Sequence, residues 1–247
     1  MKTGALLIAR LSSTRLPAKN LKLMAGLPMI RHLAERVGRA ESIDQVIITT
    51  SSEPSDDPLA AFAEDAGIAC HRGPLDDVMA RICGAADAFE LDTVVEILGD
   101  NPLIDHHLVD DVMALYDPKK VDYAANISPD YAVQPPNSVL FAIGVRIQAY
   151  SAAIAKRYVE FPDVTGHPSS YIFDNPDQFK CTYLHAVDEW AFLNKPAINF
   201  AVNYPKNFTL MERVFEELYP NEPAFSLRRA IELMDADPSL YNLTGAE

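Results

Sequence analysis

The sequence predicts an α/β fold in which a mostly parallel β-sheet is flanked by helices. Short apolar or β-branched runs alternate along the first half of the chain with segments of helical periodicity. Strands and helices that alternate at this spacing indicate βαβ units and a parallel sheet. The chain has 247 residues, of which 49% are apolar and 23% are charged. These values are typical of a globular protein with a substantial core, and we interpret residues 1–247 as a single domain.

The elements of the first half follow in order. Residues 5–8 are apolar and predict a strand buried on both faces, and residues 45–50 (QVIITT) are β-branched and predict a second strand. Gly67 is expected to end a helix that is capped near Ser55. By the same reasoning, the predicted strands are residues 5–8, 45–50, 68–71, 92–98 and 121–126, and the predicted helices are residues 28–40, 55–66, 76–90 and 108–116.

The pattern changes at about residue 128. Residues 128–137 (SPDYAVQPPN) are rich in proline and polar side chains, which is typical of an exposed loop. We interpret residues 128–190 as an insertion that covers one end of the sheet and carries substrate or dimer contacts. In this half, strands are predicted at residues 139–145, 179–184 and 198–202, and helices at residues 147–157, 206–218 and 226–234.

The loop after the first strand is strongly cationic. Arg10, Arg15 and Lys19 lie there with three hydroxyl side chains at residues 12–14. Residues 1–40 hold eight basic residues and one acidic residue, a net charge of +7, whereas the whole chain carries −14. Ligands of open α/β sheets bind at the carboxyl ends of strands, so the loop indicates a polyphosphate site. A solvated surface loop is the alternative, and nucleic acid is disfavoured because it needs a broad basic face.

Other features of the chain indicate in which cellular compartment the protein is expected. The three cysteines, Cys70, Cys83 and Cys181, are far apart and predict free thiols in a reducing compartment. No apolar run approaches the roughly 20 residues of a membrane helix, and the first strand follows Met1 too closely for a signal peptide. We therefore expect a cytoplasmic protein that does not bind membranes.

A second chemical signal follows the strand predicted at residues 92–98. Asp100 comes directly after Gly99, at the edge of the sheet where ligands are expected. A carboxylate in this position suits Mg²⁺, which prefers oxygen ligands and is usually coordinated by one or two carboxylates together with substrate phosphates. A turn or helix-capping aspartate is the alternative. Because all strands of a parallel sheet end at one edge, the loop at residues 9–20 and Asp100 should lie on the same side.

The motif Ala9-Arg10, followed by Ser13-x-Arg15-Leu16-Pro17-x-Lys19, resembles the sequence A-R-x-x-S-x-R-L-P-G-K of nucleotide-sugar cytidylyltransferases. The resemblance is to the spore-coat polysaccharide branch, beside the CMP-Kdo and CMP-sialate synthetases. It extends in order to further segments of the chain, at residues 55–58, 72–73, 76–81, 99–105 and 171–176.

This resemblance implies a glycosyltransferase-A-like fold and an enzyme that couples CTP to an acidic sugar or a similar hydroxyl compound, with Mg²⁺, as a homodimer. It implies catalytic roles for Arg10, Lys19 and Asp100, with Arg10 and Lys19 neutralising phosphate charge. Arg15 either joins them or forms a fold-stabilising ion pair. The implied nucleotide-binding residues are Ala9, Arg10, Ser13, Arg15, Lys19 and Arg81, although a surface position is the alternative for Arg81.

The sequence departs from the family pattern at three positions. Family members carry a second metal-binding aspartate in a phrase like V-D-T-P-x-D, but Asn203 stands there and brings an oxygen without a charge. Asp100 and Asn203 are therefore the expected metal ligands. Ser12 and Ala18 replace glycines that would permit a positive φ. His167 falls where the family has a histidine near the substrate, and an exposed loop histidine is the alternative.

The leading hypothesis is nucleotidyl transfer from CTP to an acidic sugar in surface polysaccharide biosynthesis, with release of pyrophosphate. Asn203 motivates a second hypothesis, in which a catalytically weakened homologue binds nucleotide or sugar as a partner of a pathway enzyme. A transferase for another nucleotide, such as UTP or GTP, is the third.

Overall fold

The computed structural model describes residues 1–135, 138–162 and 167–245. The strands are β1 (Thr3–Ile8), β2 (Leu23–Met24), β3 (Leu27–Pro28), β4 (Gln45–Ser51), β5 (Ala69–Gly73), β6 (Thr93–Leu98), β7 (Tyr123–Ala125), β8 (Gln148–Ser151) and β9 (Cys181–Tyr183). The helices are α1 (Met29–Val37), α2 (Asp57–Asp65), α3 (Val78–Ala88), α4 (His106–Leu115), α5 (Asp130–Val133), α6 (Ala152–Lys156), α7 (Ser170–Phe173), α8 (Pro205–Leu218) and α9 (Leu227–Ala236). In the part of the chain that these ranges cover, no helix has the length and apolar character needed to cross a bilayer.

A seven-stranded sheet in the order β5-β4-β1-β6-β8-β7-β9 organises the chain. The strands β5, β4, β1 and β6 are parallel, and β7 pairs in parallel with β9. Only β8 runs against its two neighbours, β6 and β7. One core cluster packs α1, α4, α8 and α9 on one face of the sheet, and a second packs α3, α6 and α7 on the other. The predicted α/β class and mostly parallel sheet are confirmed.

The first half of the chain agrees closely with the sequence pattern. Each strand and helix predicted between residues 5 and 126 is present, with shifts of a few residues at the ends. Gly67 follows α2 with φ +66°, a left-handed conformation that ends a helix without strain. The side chain of Asp77 caps α3 by accepting a hydrogen bond from the backbone N–H of Ala80 at 2.8 Å.

Three predictions for the second half are wrong. Residues 139–145 and 198–202 are not strands; their β-type backbone pairing is limited to isolated bridges, such as that between Ile143 and Asn199. Gly144 explains part of this, because its φ of +91° breaks the extended backbone where Ala201 passes close by. The helix predicted at residues 147–157 begins only at Ala152, after β8, because Ser151 caps it there.

The segment at residues 128–190 belongs partly to the sheet itself, because it supplies β8 and β9. Its interpretation as an insertion within a single domain stays a prediction. The polar loop predicted at residues 128–137 contains residues 136–137, which lie outside the described residues, as do residues 163–166.

Candidate active site

The loop between β1 and α1 starts at the carboxyl end of β1 and is held by a buried carboxylate. The backbone N–H of Leu11 donates to Oδ1 of Asp56 at 2.7 Å, and Oδ2 of Asp56 accepts from both the backbone N–H and the hydroxyl of Ser51. Asp56 is fully buried. Burial raises the pKa of its carboxyl, but the hydrogen bonds from Ser51 and Leu11 outweigh this, so the pKa lies below its ordinary value. Asp56 therefore fixes the start of the cationic loop as a charged acceptor.

The same loop folds back on itself through Ala18. The backbone N–H of Ala18 donates to the carbonyl of Leu11 at 3.0 Å, and Asn20 donates to the carbonyl of Arg10 at 3.2 Å. Ala18 has φ 53° and ψ 26°, the left-handed conformation that glycine adopts most easily. Ala18 therefore adopts the positive φ that the family's glycine would permit at this position, in spite of its Cβ.

Lys19 joins the cationic loop to the carboxyl end of β6. Its Nζ lies 3.0 Å from Oδ2 of Asp100, 2.7 Å from the carbonyl of Val202 and 3.3 Å from Oδ1 of Asn203. Only 8% of Lys19 is exposed, so the ion pair with Asp100 is shielded from water. The predicted meeting of the loop and Asp100 at one edge of the sheet is confirmed.

A cavity of about 500 Å³ opens above this ion pair. The sequence-predicted residues that line it are Ala9, Arg10, Ser13, Arg15, Lys19, Arg81, Asp100 and Asn203. A neighbouring cavity of about 610 Å³ shares Asp76, Val78 and Pro168 with it. The structure thus brings together, around one cavity, the residues that the sequence analysis assigned to nucleotide and metal. Their individual roles stay predictions.

Arg81 is buried, so the alternative of a surface arginine is wrong. Its Nη1 donates to the carbonyl of Pro74 at 2.6 Å, while its Nε is buried without a hydrogen-bond partner among the described residues. Burial lowers the pKa of Arg81, and the charge of nearby Arg10 lowers it further. Two close guanidinium groups in one cavity attract an anion, which relieves their mutual repulsion.

Arg15 reaches across the cavity to the segment before α8. It donates to Oδ1 of Asn203 at 3.2 Å and to the hydroxyl of Tyr204 at 3.3 Å, and its guanidinium lies 5.0 Å from the centre of the Tyr204 ring. Among the described residues it forms no ion pair with a carboxylate. In place of the ion pair of the alternative, the described contacts of its side chain bridge the two walls of the cavity.

The oxygens available to a cation at this site are unequal. Oδ1 of Asp100 is buried and has no hydrogen-bond partner among the described residues. Oδ1 of Asn203, in contrast, already accepts hydrogen bonds from Arg15 and Lys19. The described residues contain no cluster of three or more histidine, cysteine, aspartate or glutamate side chains that fits a metal ion. A cation at this site therefore depends on Asp100 and on oxygens from the substrate.

His167 is not an exposed loop residue, so that alternative is wrong. Its Nε2 lies 3.3 Å from Oε1 of Glu96 and 3.4 Å from the amide nitrogen of Gln148, and its Nδ1 lies 3.1 Å from the hydroxyl of Ser169. Burial lowers the pKa of His167, although the charge of Glu96 opposes this. Sequence reasoning missed this buried network, since Glu96 is hidden in the apolar run of β6. A charged residue inside a strand buried on both faces was the available signal.

Comparisons with known proteins show which family the chain belongs to. A family model described as cytidylyltransferase matches residues 5–224. The chain is 23% identical over 236 residues to a spore coat polysaccharide biosynthesis protein of Bacillus subtilis, covering 93% of this chain and 92% of that protein. It is 35% identical over 128 residues to a 3-deoxy-manno-octulosonate cytidylyltransferase of Hydrogenovibrio crunogenus, covering 50% of this chain and 49% of that enzyme.

Among solved structures, a cytidylyltransferase from Leptospira borgpetersenii superposes with a TM-score of 0.85 at 21% identity, covering 100% of this chain and 99% of that chain. This likeness supports the fold, and the family match covers most of the sequence. The chain therefore belongs to the cytidylyltransferase family of enzymes.

Proposed function

We propose that the protein transfers the cytidylyl group of CTP to a hydroxyl of an acidic sugar or a similar small acceptor, and that it does so in the cytoplasm as a homodimer in surface polysaccharide biosynthesis. The observation that carries this proposal is the partly buried Lys19–Asp100 ion pair at the base of a cavity lined by three arginines. The names of the Bacillus and Hydrogenovibrio relatives support the pathway and the nucleotide.

The reaction is an in-line displacement at the α-phosphorus. The acceptor oxygen forms a bond to that phosphorus and loses its proton, while the bond to the bridging oxygen breaks and pyrophosphate leaves with the electron pair. Arg10, Arg15 and Arg81 hold the triphosphate and offset its charge, and Lys19 stabilises the charge that develops on the phosphoryl oxygens. No side chain forms a covalent bond with the nucleotide in this scheme.

Mg²⁺ is the cofactor that the family implies, and Asp100 fits it. The buried Oδ1 of Asp100 accepts no hydrogen bond from any residue that the structure describes, so it has lone pairs to offer a cation. Bound Mg²⁺ would supply charge neutralisation at the phosphates. Asn203 offers a poorer ligand, since its oxygen is neutral and already accepts from Lys19 and Arg15. We therefore assign the metal mainly to Asp100, with Asn203 orienting the two cationic side chains.

The decisive experiment measures pyrophosphate release and product formation with purified protein, CTP, Mg²⁺ and a panel of acceptors. The panel contains 3-deoxy-manno-octulosonate, N-acetylneuraminate and neutral sugars. We expect turnover that Asp100→Asn reduces by about 100-fold or more. A thermal-shift assay compares how far CTP, UTP and GTP each raise the Tm of the protein. A larger shift with UTP or GTP than with CTP would identify that nucleotide as the substrate. Absence of both CTP binding and turnover would refute the proposal.

A second candidate, a weakened homologue that only binds nucleotide, has one observation in its favour. The position of Asn203 brings no carboxylate to the site, and its oxygen is occupied. Asn203→Asp separates the two cases. Higher turnover in this variant identifies a slow catalyst, whereas CTP binding without turnover in both forms identifies a binder.

A further inference from the structure

The backbone before β8 places Arg146 on a defined face of the sheet. Val145, Ile147 and Ala149 pack into the core cluster on one face, whereas Gln148 points to the other, where it meets His167. Asn126 keeps this segment extended, because its side chain donates to the carbonyl of Val145 at 2.7 Å and accepts from the N–H of Ile147 at 2.9 Å. Side chains alternate along an extended strand, so Arg146 lies on the face of Gln148.

The strand register places Arg146 beside the nucleotide cavity. Gln148 pairs with Glu96 in the antiparallel ladder between β8 and β6. When this antiparallel register is extended by two residues toward the carboxyl end of β6, Arg146 falls opposite Leu98. Leu98 lines the cavity. The charges of Arg146 and Asp100 both act on His167, which agrees with this position. Arg146 therefore lies next to the reaction site, on the side away from the cationic loop.

Arg146 differs from the polar groups around it because its guanidinium has no hydrogen-bond or ion-pair partner in the part of the chain that the structure describes. It is half-buried, yet among the described residues it makes no hydrogen bond and no ion pair. Its neighbours have partners: the hydroxyl of Tyr150 donates to Oε2 of Glu96 at 2.5 Å, and the hydroxyl of Tyr123 donates to Gln148 at 2.6 Å. A partly desolvated guanidinium without an anion is costly, and its planar fork matches a carboxylate in two hydrogen bonds.

We propose that Arg146 binds the carboxylate of the acceptor and thereby restricts transfer to acidic sugars. This inference rests on the proposed nucleotidyl transfer and adds a specificity residue to it. The other cations of the site, Arg10, Arg15, Lys19 and Arg81, line the cavity assigned to the triphosphate. Arg146 lies on the side of Leu98 that is away from the cationic loop. In the proposed reaction, the acceptor approaches the α-phosphorus from that side.

The test compares acid acceptors with their neutral counterparts. The probes are 3-deoxy-manno-octulosonate and N-acetylneuraminate, each with its carboxamide. We expect Arg146→Met to reduce kcat/KM for the acid by about 10- to 100-fold, mainly through KM, because a charge-assisted hydrogen bond to the carboxylate is lost. The variant should bind CTP as the wild type does. For the wild type, kcat/KM should be low with the carboxamide, and Arg146→Met should not lower it further. With the acid, Arg146→Lys should restore part of the kcat/KM that Arg146→Met loses.

Arg229→Met is the matched control, because Arg229 is an exposed arginine of α9 paired with Glu232. If Arg146→Met reduces turnover of acid and carboxamide equally, or if the wild type uses both equally well, the inference is wrong while nucleotidyl transfer stands. If the wild type does not bind CTP, the proposed function itself is refuted. If CTP binds but neither acid is turned over, calorimetric titration of the acids onto the CTP-loaded protein decides: binding that Arg146→Met abolishes supports the inference, and its absence in the wild type overturns it.

Discussion

Replacement of Asp56 by asparagine is the sharpest test of how the cationic loop is held. In the wild type, one carboxylate oxygen accepts from the backbone N–H of Leu11 at 2.7 Å and the other accepts from Ser51. Asparagine has one acceptor oxygen, so its NH₂ group must face one of the two backbone N–H donors. The hydroxyl of Ser51 can rotate to accept from this group, but a buried backbone donor stays unsatisfied.

One buried N–H without a partner costs about 1–3 kcal/mol, and loss of the charge weakens the remaining hydrogen bonds. We therefore expect Asp56→Asn to lower the free energy of unfolding by about 2–3 kcal/mol and Tm by about 4–10 °C. Since Leu11 follows Arg10 directly, the loop should also hold its cations less well, and the affinity for CTP should fall by about 10-fold. Urea denaturation, calorimetry and CTP titration measure these quantities.

The adjacent Asp57→Asn is the control. Asp57 forms a 2.7 Å ion pair with Arg72, but 62% of its side chain is exposed, so this substitution should cost less than about 1 kcal/mol. Equal effects of the two substitutions on stability, or an unchanged CTP affinity in Asp56→Asn, would show that Asp56 does not position the loop.

Three other predictions concern the site and its surroundings. Lys19→Met should lower turnover by about 100-fold or more, because it removes the cation that pairs with the partly buried Asp100. Pyrophosphate release within twofold of the wild type would contradict this. Ala18→Gly should raise the free energy of unfolding by about 0.5–1 kcal/mol, because relief of the left-handed alanine outweighs the entropy of glycine, and an unchanged or lower Tm would refute this reading. Stability should fall as the pH drops below about 6.5, because histidines with lowered pKa take up protons only on unfolding. Thermal melts from pH 5 to pH 8 measure this, and a flat Tm profile would contradict the burial of the histidines responsible, His32, His71, His106 and His167.

The convergence of Lys19 and Asp100 was predictable because it follows from topology alone. Each side chain lies just beyond a strand, and parallel strands end at one edge of a sheet. The glycine that the family resemblance implies at position 18 is compatible with the left-handed conformation that Ala18 adopts. These inferences need only the order of elements and the local chemistry of the chain.

The acceptor side of the site could not be predicted in the same way. Residues 147–157 contain alanine and other good helix formers, and the strand β8 exists only because β6 and β7 lie on either side of it. Glu96 is tolerated inside an apolar run because Tyr150, 54 residues later, donates to it. Similarly, Asp56 was predicted as part of a helix cap, whereas its carboxylate binds Leu11 across 45 residues of sequence. Such partners are set by tertiary structure.

The reversed direction of β8 has a consequence for how this enzyme can diversify. A parallel strand in its place would send the residues that follow it to the ligand edge, whereas β8 brings the residues that precede it, 138–147. In the proposed function, the beginning of the chain binds the nucleotide and this later stretch contacts the acceptor. Exchange of residues 138–147 between related enzymes should therefore redirect the choice of sugar while leaving the grip on CTP intact.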